Sequence, residues 1–177
     1  MKFLVKLVLG VIIVFTLCMG FLRLMCLFYP NTYKLQVSEY SRKYDVSTEL
    51  VYGVIRAESK FDAHAVSDKG AKGLMQIMEP TGNWAAESIG LTDVDLFDVD
   101  TNIEIGCFYL SYLLDKYDGN TRCAIAAYNA GQTNVDKWLM VKEYSEDGKN
   151  LDKIPFRETE KYVDKVLENI KKYSFLY

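Results

Sequence analysis

Histidine is nearly missing from this 177-residue sequence, with His64 the only one. A metal cluster draws on several His, Cys or acidic ligands, and a Ser-His-Asp triad needs a histidine beside its nucleophile. A lone histidine in a turn-forming stretch supports neither, so His64 reads as a loop residue on a cleft rim. Cysteine is scarce where it could form bridges: Cys18 and Cys26 fall in an apolar N-terminal run, leaving Cys107 and Cys123. If those two stand on adjacent antiparallel helices joined near Asp118 to Asn120, a rise of about 1.5 Å per residue offsets them by on the order of 10 Å, too far to bridge. Two buried free thiols are expected. Period-two alternation is scarce, and neither an internal repeat nor a low-complexity segment is present. What remains is a mostly α-helical chain.

Charge is missing from one end. Leu7 to Leu22 carries none, and after Arg23 the apolar character resumes through Phe28. Roughly 20 apolar residues at about 1.5 Å each cross a hydrocarbon core of about 30 Å. Lys2 and Lys6 form a positive flank of the kind kept in the cytoplasm, and Arg23 is placed to snorkel to the outer interface. Residues 1–28 therefore read as a single-pass anchor in the cell membrane, with the rest of the chain on the extracytoplasmic side. A cleaved signal peptide is the alternative, but Cys18-Met19-Gly20 is a poor cleavage site and the apolar run continues past it. Leu17 and Met25 are too bulky before cysteine for a lipobox, so no lipid is expected. Lys2, Lys6 and Arg23 take three of the 21 basic residues, so 18 face 24 acidic ones, a net of −6. That balance argues against a nucleic-acid partner.

Pro30-Asn31 signals a turn, and residues 29–36 read as a linker to one domain over 37–177. A short helix is expected over Val37–Tyr44. Ser47 is placed to cap a second helix, with Glu49 in its first turn. Leu50, Val54 and Glu58 follow at spacings of four, so Glu58 extends an apolar stripe and its carboxyl points inward. Asp62 to Gly73 has the composition of a loop that comes close to a ligand. Pro80 suits a helix first turn, Thr81–Ile89 reads as a helix ended by Gly90, and Asn102–Tyr117, Thr121–Ala130 and Glu158–Tyr173 read as three more. Glu87 and Glu104 are expected on the surface, Met75 in the core.

A carboxyl at the end of an apolar stripe, entering a glycine-rich loop, is partly desolvated. Its pKa rises and it stays protonated near neutrality, as a general acid must. The same position suits a buried glutamate that cross-links the loop, and helix spacing alone does not choose between them.

The wider pattern is specific. Glu58-Ser59-Lys60-Phe61 leads to Ala65-Val66-Ser67 and Gly70-Ala71-Lys72-Gly73-Leu74-Met75-Gln76-Ile77-Met78. Then come Asn102-Ile103, Gly106, Tyr109-Leu110, Ala127-Tyr128-Asn129-Ala130-Gly131, Val135, Trp138-Leu139, Ile154-Pro155, Glu158-Thr159 and Tyr162-Val163. In order and spacing these blocks resemble the soluble lytic transglycosylase family, over roughly Val37 to Tyr173. The resemblance implies an all-α fold of the goose-type lysozyme kind. It also implies cleavage of the β-1,4 bond between N-acetylmuramic acid and N-acetylglucosamine in peptidoglycan glycan strands, ending in a 1,6-anhydro product, with no metal and no cofactor.

Carried over by position, Glu58 matches the catalytic acid. Ser67 and Gln76 match polar groove residues, Met78 an apolar one, and Tyr128 and Asn129 the motif beside the scissile bond. Glu158 and Tyr162 match a late pair that supports the cleft. The family commonly has proline directly after the methionine of this loop, whereas Met78 is followed by Glu79-Pro80, so the next helix is expected to start one residue later. One acid suffices in this chemistry, because the substrate's own C6 hydroxyl replaces the activated water. Asp68, the nearest rival for a second carboxylate, reads as a solvated turn residue before Lys69-Gly70. Two further readings stay open: a hydrolase on the same fold, and a non-catalytic glycan-binding part of an envelope-spanning assembly.

Overall fold

A computed structural model describes residues 2–177; Met1 and the Lys2 side chain, and with it that half of the positive flank, lie outside the described residues. Among the described residues the structure is helical, with α1 at Lys2–Phe28, α2 at Lys34–Lys43, α3 at Thr48–Glu58 and α4 at Glu79–Ile89. Next come α5 at Val99–Lys116, α6 at Thr121–Ala130, α7 at Gln132–Leu139 and α8 at Arg157–Leu176. Two isolated antiparallel bridges, Val66 with Lys72 and Lys72 with Ile77, are the extended pairing recorded. The all-α expectation holds.

α1 is long and apolar enough to cross a membrane, and none of its span from Phe3 to Phe28 is buried against the rest of the chain. The core begins at Val37. Its centre is α3, which starts where the Ser47 hydroxyl accepts the Leu50 N–H at 3.2 Å. Val51, Val54 and Ile55 are fully buried, each such side chain being worth about 1.5–3 kcal/mol. Burial extends round to Gly53, because α8 runs along the side opposite the Leu50–Val54 stripe. A Cβ on Gly53 would stand 3.1 Å from Ile170 and 3.3 Å from the Val166 carbonyl, and Asn169 Nδ2 donates to the Gly53 carbonyl at 3.1 Å. α3 is thus a buried central helix rather than a one-sided one.

α5 packs against α2, α4 and α6, and α6 buries Ala124 to Ala127 completely. Cys107 and Cys123 are buried and free, and Met75 is in the core. Glu104 differs from expectation. It is buried, accepting from Lys43 Nζ at 2.5 Å and the Tyr44 hydroxyl at 2.9 Å. The Ile103, Cys107, Leu110 stripe predicts one covered face, but α2 covers a second, and Glu104 lies there. Helix ends also move: α2 begins at Lys34, α4 at Glu79 with Met78 as N-cap, and α5 at Val99, where Asp98 accepts the Thr101 N–H at 2.8 Å. α7 was not foreseen as a helix; it follows α6 after the single residue Gly131.

Candidate active site

Glu58 is the last residue of α3. The chain turns sharply there, with Lys60 and Phe61 at φ 54° and 72°, and the Phe61 N–H donates to the Ser59 hydroxyl at 3.1 Å. The Glu58 side chain is left between the returning loop and α8. From α8 the Tyr162 hydroxyl donates to Glu58 Oε1 at 2.7 Å. Burial pushes the carboxyl from the ordinary 4.5 up to about 7, against the pull of the Tyr162 hydrogen bond and the Lys165 charge. The neutral acid is thereby favoured far above the ordinary carboxylate range. The Tyr128 and Tyr162 phenols are held well above their ordinary range, chiefly by burial, and stay neutral donors.

The loop opposite is held from within. Ser67 Oγ accepts the Ala71 N–H at 2.9 Å, and Gln76 Nε2 donates to the carbonyls of Ala65 and Gly73 at 3.0 and 2.9 Å. Gly73 sits at φ 76°, where an added Cβ would stand 2.3 Å from both the Leu96 carbonyl and Asn102 Nδ2, so only glycine fits. Asn102, on α5, is 1% exposed and ties three strands of chain together. It accepts the Met75 N–H at 2.8 Å and donates to the carbonyls of Leu96 at 2.8 Å and Lys72 at 3.0 Å. The Met75 carbonyl in turn accepts from the Tyr128 hydroxyl at 2.9 Å.

These elements enclose a cleft of about 340 Å³. The loop contributes Ser67, Asp68, Lys69, Ala71, Gln76 and Met78; α3 contributes Glu58, α6 Tyr128 and Asn129, and α8 Glu158. Tyr162 reaches the site through Glu58. All eight residues expected from the sequence therefore meet in one place, although they span 105 positions, from Glu58 to Tyr162. Met78 is 41% exposed, so it offers apolar surface to a ligand. His64 is exposed and lies against Phe97, ring centroids 6.0 Å apart, outside the cleft lining. Asp68 is exposed, as a solvated turn residue should be, yet it does border the cleft. A larger hollow of about 500 Å³ between Lys116–Asn120 and Gly148–Asn150 contains none of these groups. Among the described residues no group of three His, Cys, Asp or Glu side chains is placed to hold a metal ion.

Residues 36–151 match the model of the Transglycosylase SLT domain. The chain belongs to that family. The soluble lytic murein transglycosylase of Salmonella typhimurium is 35% identical over 144 residues, covering 78% of this chain and 22% of that protein. The membrane-bound lytic murein transglycosylase C of Serratia proteamaculans is 33% identical over 121 residues, 59% of this chain and 33% of that one. The structure of an inactive mutant of lytic transglycosylase Slt from Pseudomonas aeruginosa superposes with a TM-score of 0.76 at 28% identity, over 85% of this chain and 25% of that chain. The 70 kDa soluble lytic transglycosylase of Escherichia coli gives 0.75 at the same identity. The chain thus spans about a quarter of the soluble relatives' length.

Within this SLT domain, three positioning residues were not singled out from sequence. Asn102 holds the loop, Thr159 Oγ1 donates to Asn129 Oδ1 at 2.8 Å, and Lys165 Nζ donates to the Ala57 carbonyl at 2.6 Å beside Glu58. Asn102 and Thr159 stand in blocks that carry the family resemblance, which was the available signal. Nothing in the sequence marks Lys165, because its partner is a backbone carbonyl 108 residues away.

Proposed function

We propose that this chain is a peptidoglycan lytic transglycosylase, cutting the β-1,4 bond between N-acetylmuramic acid and N-acetylglucosamine and leaving a 1,6-anhydromuramoyl end. The observation that carries the reading is the carboxyl of Glu58 at the end of α3, held by the Tyr162 hydroxyl at 2.7 Å inside a cleft that has polar groups on both sides. Glu58 gives its proton to the leaving glycosidic oxygen. As carboxylate it then removes the proton from the muramic C6 hydroxyl, which attacks the anomeric carbon of the same sugar. Intramolecular attack has a high effective molarity and needs no positioned water. Tyr162 stabilises the carboxylate between the two steps. Ser67, Gln76, Met78, Tyr128, Asn129 and Glu158 line the sugar path.

α1 anchors the enzyme in the membrane with the cleft on the outer side, which agrees with the membrane-bound name of some relatives. Local opening of the wall is a task that a trans-envelope assembly would require of such an enzyme. A hydrolytic reading has one observation in its favour: Glu158 and Asp68 are exposed carboxylates on the cleft, able to serve a water. Mass analysis of peptidoglycan fragments released by the purified chain separates the two. Anhydro ends, one water lighter than reducing ends, are expected from the parent and from Glu158→Gln, and Glu58→Gln is expected to release nothing. Reducing ends would establish the hydrolase, and clearing by Glu58→Gln would remove Glu58 from the chemistry.

A further inference from the structure

The segment leaving α1 does not hang free. The Tyr29 hydroxyl accepts from Lys172 Nζ at 2.7 Å, its carbonyl accepts from the Tyr177 hydroxyl at 2.9 Å, and the Pro30 carbonyl accepts from the Tyr173 hydroxyl at 3.0 Å. The Tyr29 and Tyr173 rings meet edge to face at 5.7 Å. The last turns of α8 are therefore fastened to the point where α1 ends. Around that point large apolar side chains face outward: Leu27 is 78% exposed, Phe28 56%, Leu35 on α2 81% and Phe175 on α8 72%. They come from three helices whose ends meet near that exit, where Asn31, Lys34, Tyr173 and Tyr177 line one hollow, unlike apolar residues scattered singly.

The length of α1 says what covers them. The 16 uncharged residues from Leu7 to Leu22 reach only about 24 Å, short of a hydrocarbon core of about 30 Å, whereas Leu7 to Phe28 reaches about 33 Å. Leu24 to Phe28 therefore lies within the apolar layer, Arg23 snorkels out past it, and Tyr29 falls at the interface. Tyr29, Tyr33 and Tyr177, partly or largely exposed around the buried Tyr173, are then the amphipathic aromatics typical of that depth.

We infer that Leu35 and the last turn of α8 at Phe175 dock on the outer-leaflet interface of the bilayer that α1 enters, so that the catalytic domain rests on the membrane in one orientation. This rests on the membrane-spanning reading of α1 given above. The consequence is a cleft with restricted reach: Tyr162 lies 13 residues, about 20 Å of helix, from Phe175, and no slack joins the two. Glycan strands near the membrane are accessible and distant ones are not.

The test uses the full chain reconstituted in phosphatidylcholine vesicles, with ordinary or brominated acyl chains. Phe175→Trp and, separately, Leu35→Trp each add one fluorophore to Trp84 and Trp138. Phe175 and Leu35 are exposed, so either substitution leaves the core untouched. The expected result is that the added emission, taken as the difference from the parent chain, is blue-shifted, largely lost with brominated lipid and protected from iodide. Flotation with the vesicles is measured on the same samples. A chain that floats but whose added tryptophans are quenched by iodide and not by bromine overturns the docking and keeps the anchor. A chain that does not float overturns both.

Discussion

At Glu58 two effects oppose each other, since burial favours the neutral acid while the Tyr162 hydroxyl and the Lys165 charge favour the carboxylate. Burial wins, and the balance sets the pH range in which Glu58 keeps the proton that the proposed reaction needs. The first step needs the proton, so kcat/KM should fall as pH rises through about 7. Tyr162→Phe removes a bond that favours the charged form, which raises the Glu58 pKa further. The alkaline limb of the pH profile should then move upward; an unmoved or lowered limb would show that the hydroxyl does not tune the acid. The same group makes stability depend on pH. Its pKa is raised on folding, so the contribution is fully present below the unfolded value of 4.5 and is lost as pH rises through about 7. The parent should lose roughly 3 kcal/mol across that window. Glu58→Gln should flatten the dependence and be the more stable protein at pH 8, as read by urea unfolding at both ends of the range.

Helices were legible to the extent that their own residues decide them. Ser47 and Gly90 mark ends correctly because caps act within a few positions. What a second or third neighbour decides was not legible. Glu104 is buried only because α2 lies across it, and α3 is enclosed only because α8 returns over Gly53. The cleft loop is the strongest case. Its composition announces a loop near a ligand, but its shape depends on Asn102, whose partners lie 6 to 30 residues away. Asn102→Ala would leave the Met75 N–H and the Leu96 carbonyl unpaired in the interior, while the Lys72 carbonyl keeps the Ile77 N–H at 3.0 Å. At about 1–3 kcal/mol for an orphaned buried group, shared with what water can repair, the expected loss is about 3 kcal/mol. Because the Met75 carbonyl also holds Tyr128, peptidoglycan cleavage should fall more than folding does. Equal activity per folded molecule would show that the loop keeps its shape without Asn102.

For the molecule as a whole, the sequence leads to the expectation of an anchor, a linker and a domain, and in the structure the expected linker is fastened to the end of the chain. No residue of α1 belongs to the core, while Tyr29 and Tyr33 pack against it and Tyr29–Pro30 take two hydrogen bonds from α8 and one from Tyr177 just past its end. The sequence could not show this, because Tyr29 and Tyr173 are 144 positions apart and a Pro-Asn turn looks the same docked or free. Two cuts distinguish a linker from a fastening. Removing residues 1–28 exposes no core side chain, so residues 29–177 should unfold cooperatively. Removing residues 1–36 takes away the tyrosine contacts, three hydrogen bonds of about 1 kcal/mol each, and the first turn of α2. At roughly 2–4 °C per kcal/mol for a domain of this size, the shorter piece should melt about 10 °C below the longer one. Equal melting temperatures by circular dichroism would mean that residues 29–36 carry no load, and that the cleft is free to range from the membrane on a slack tether.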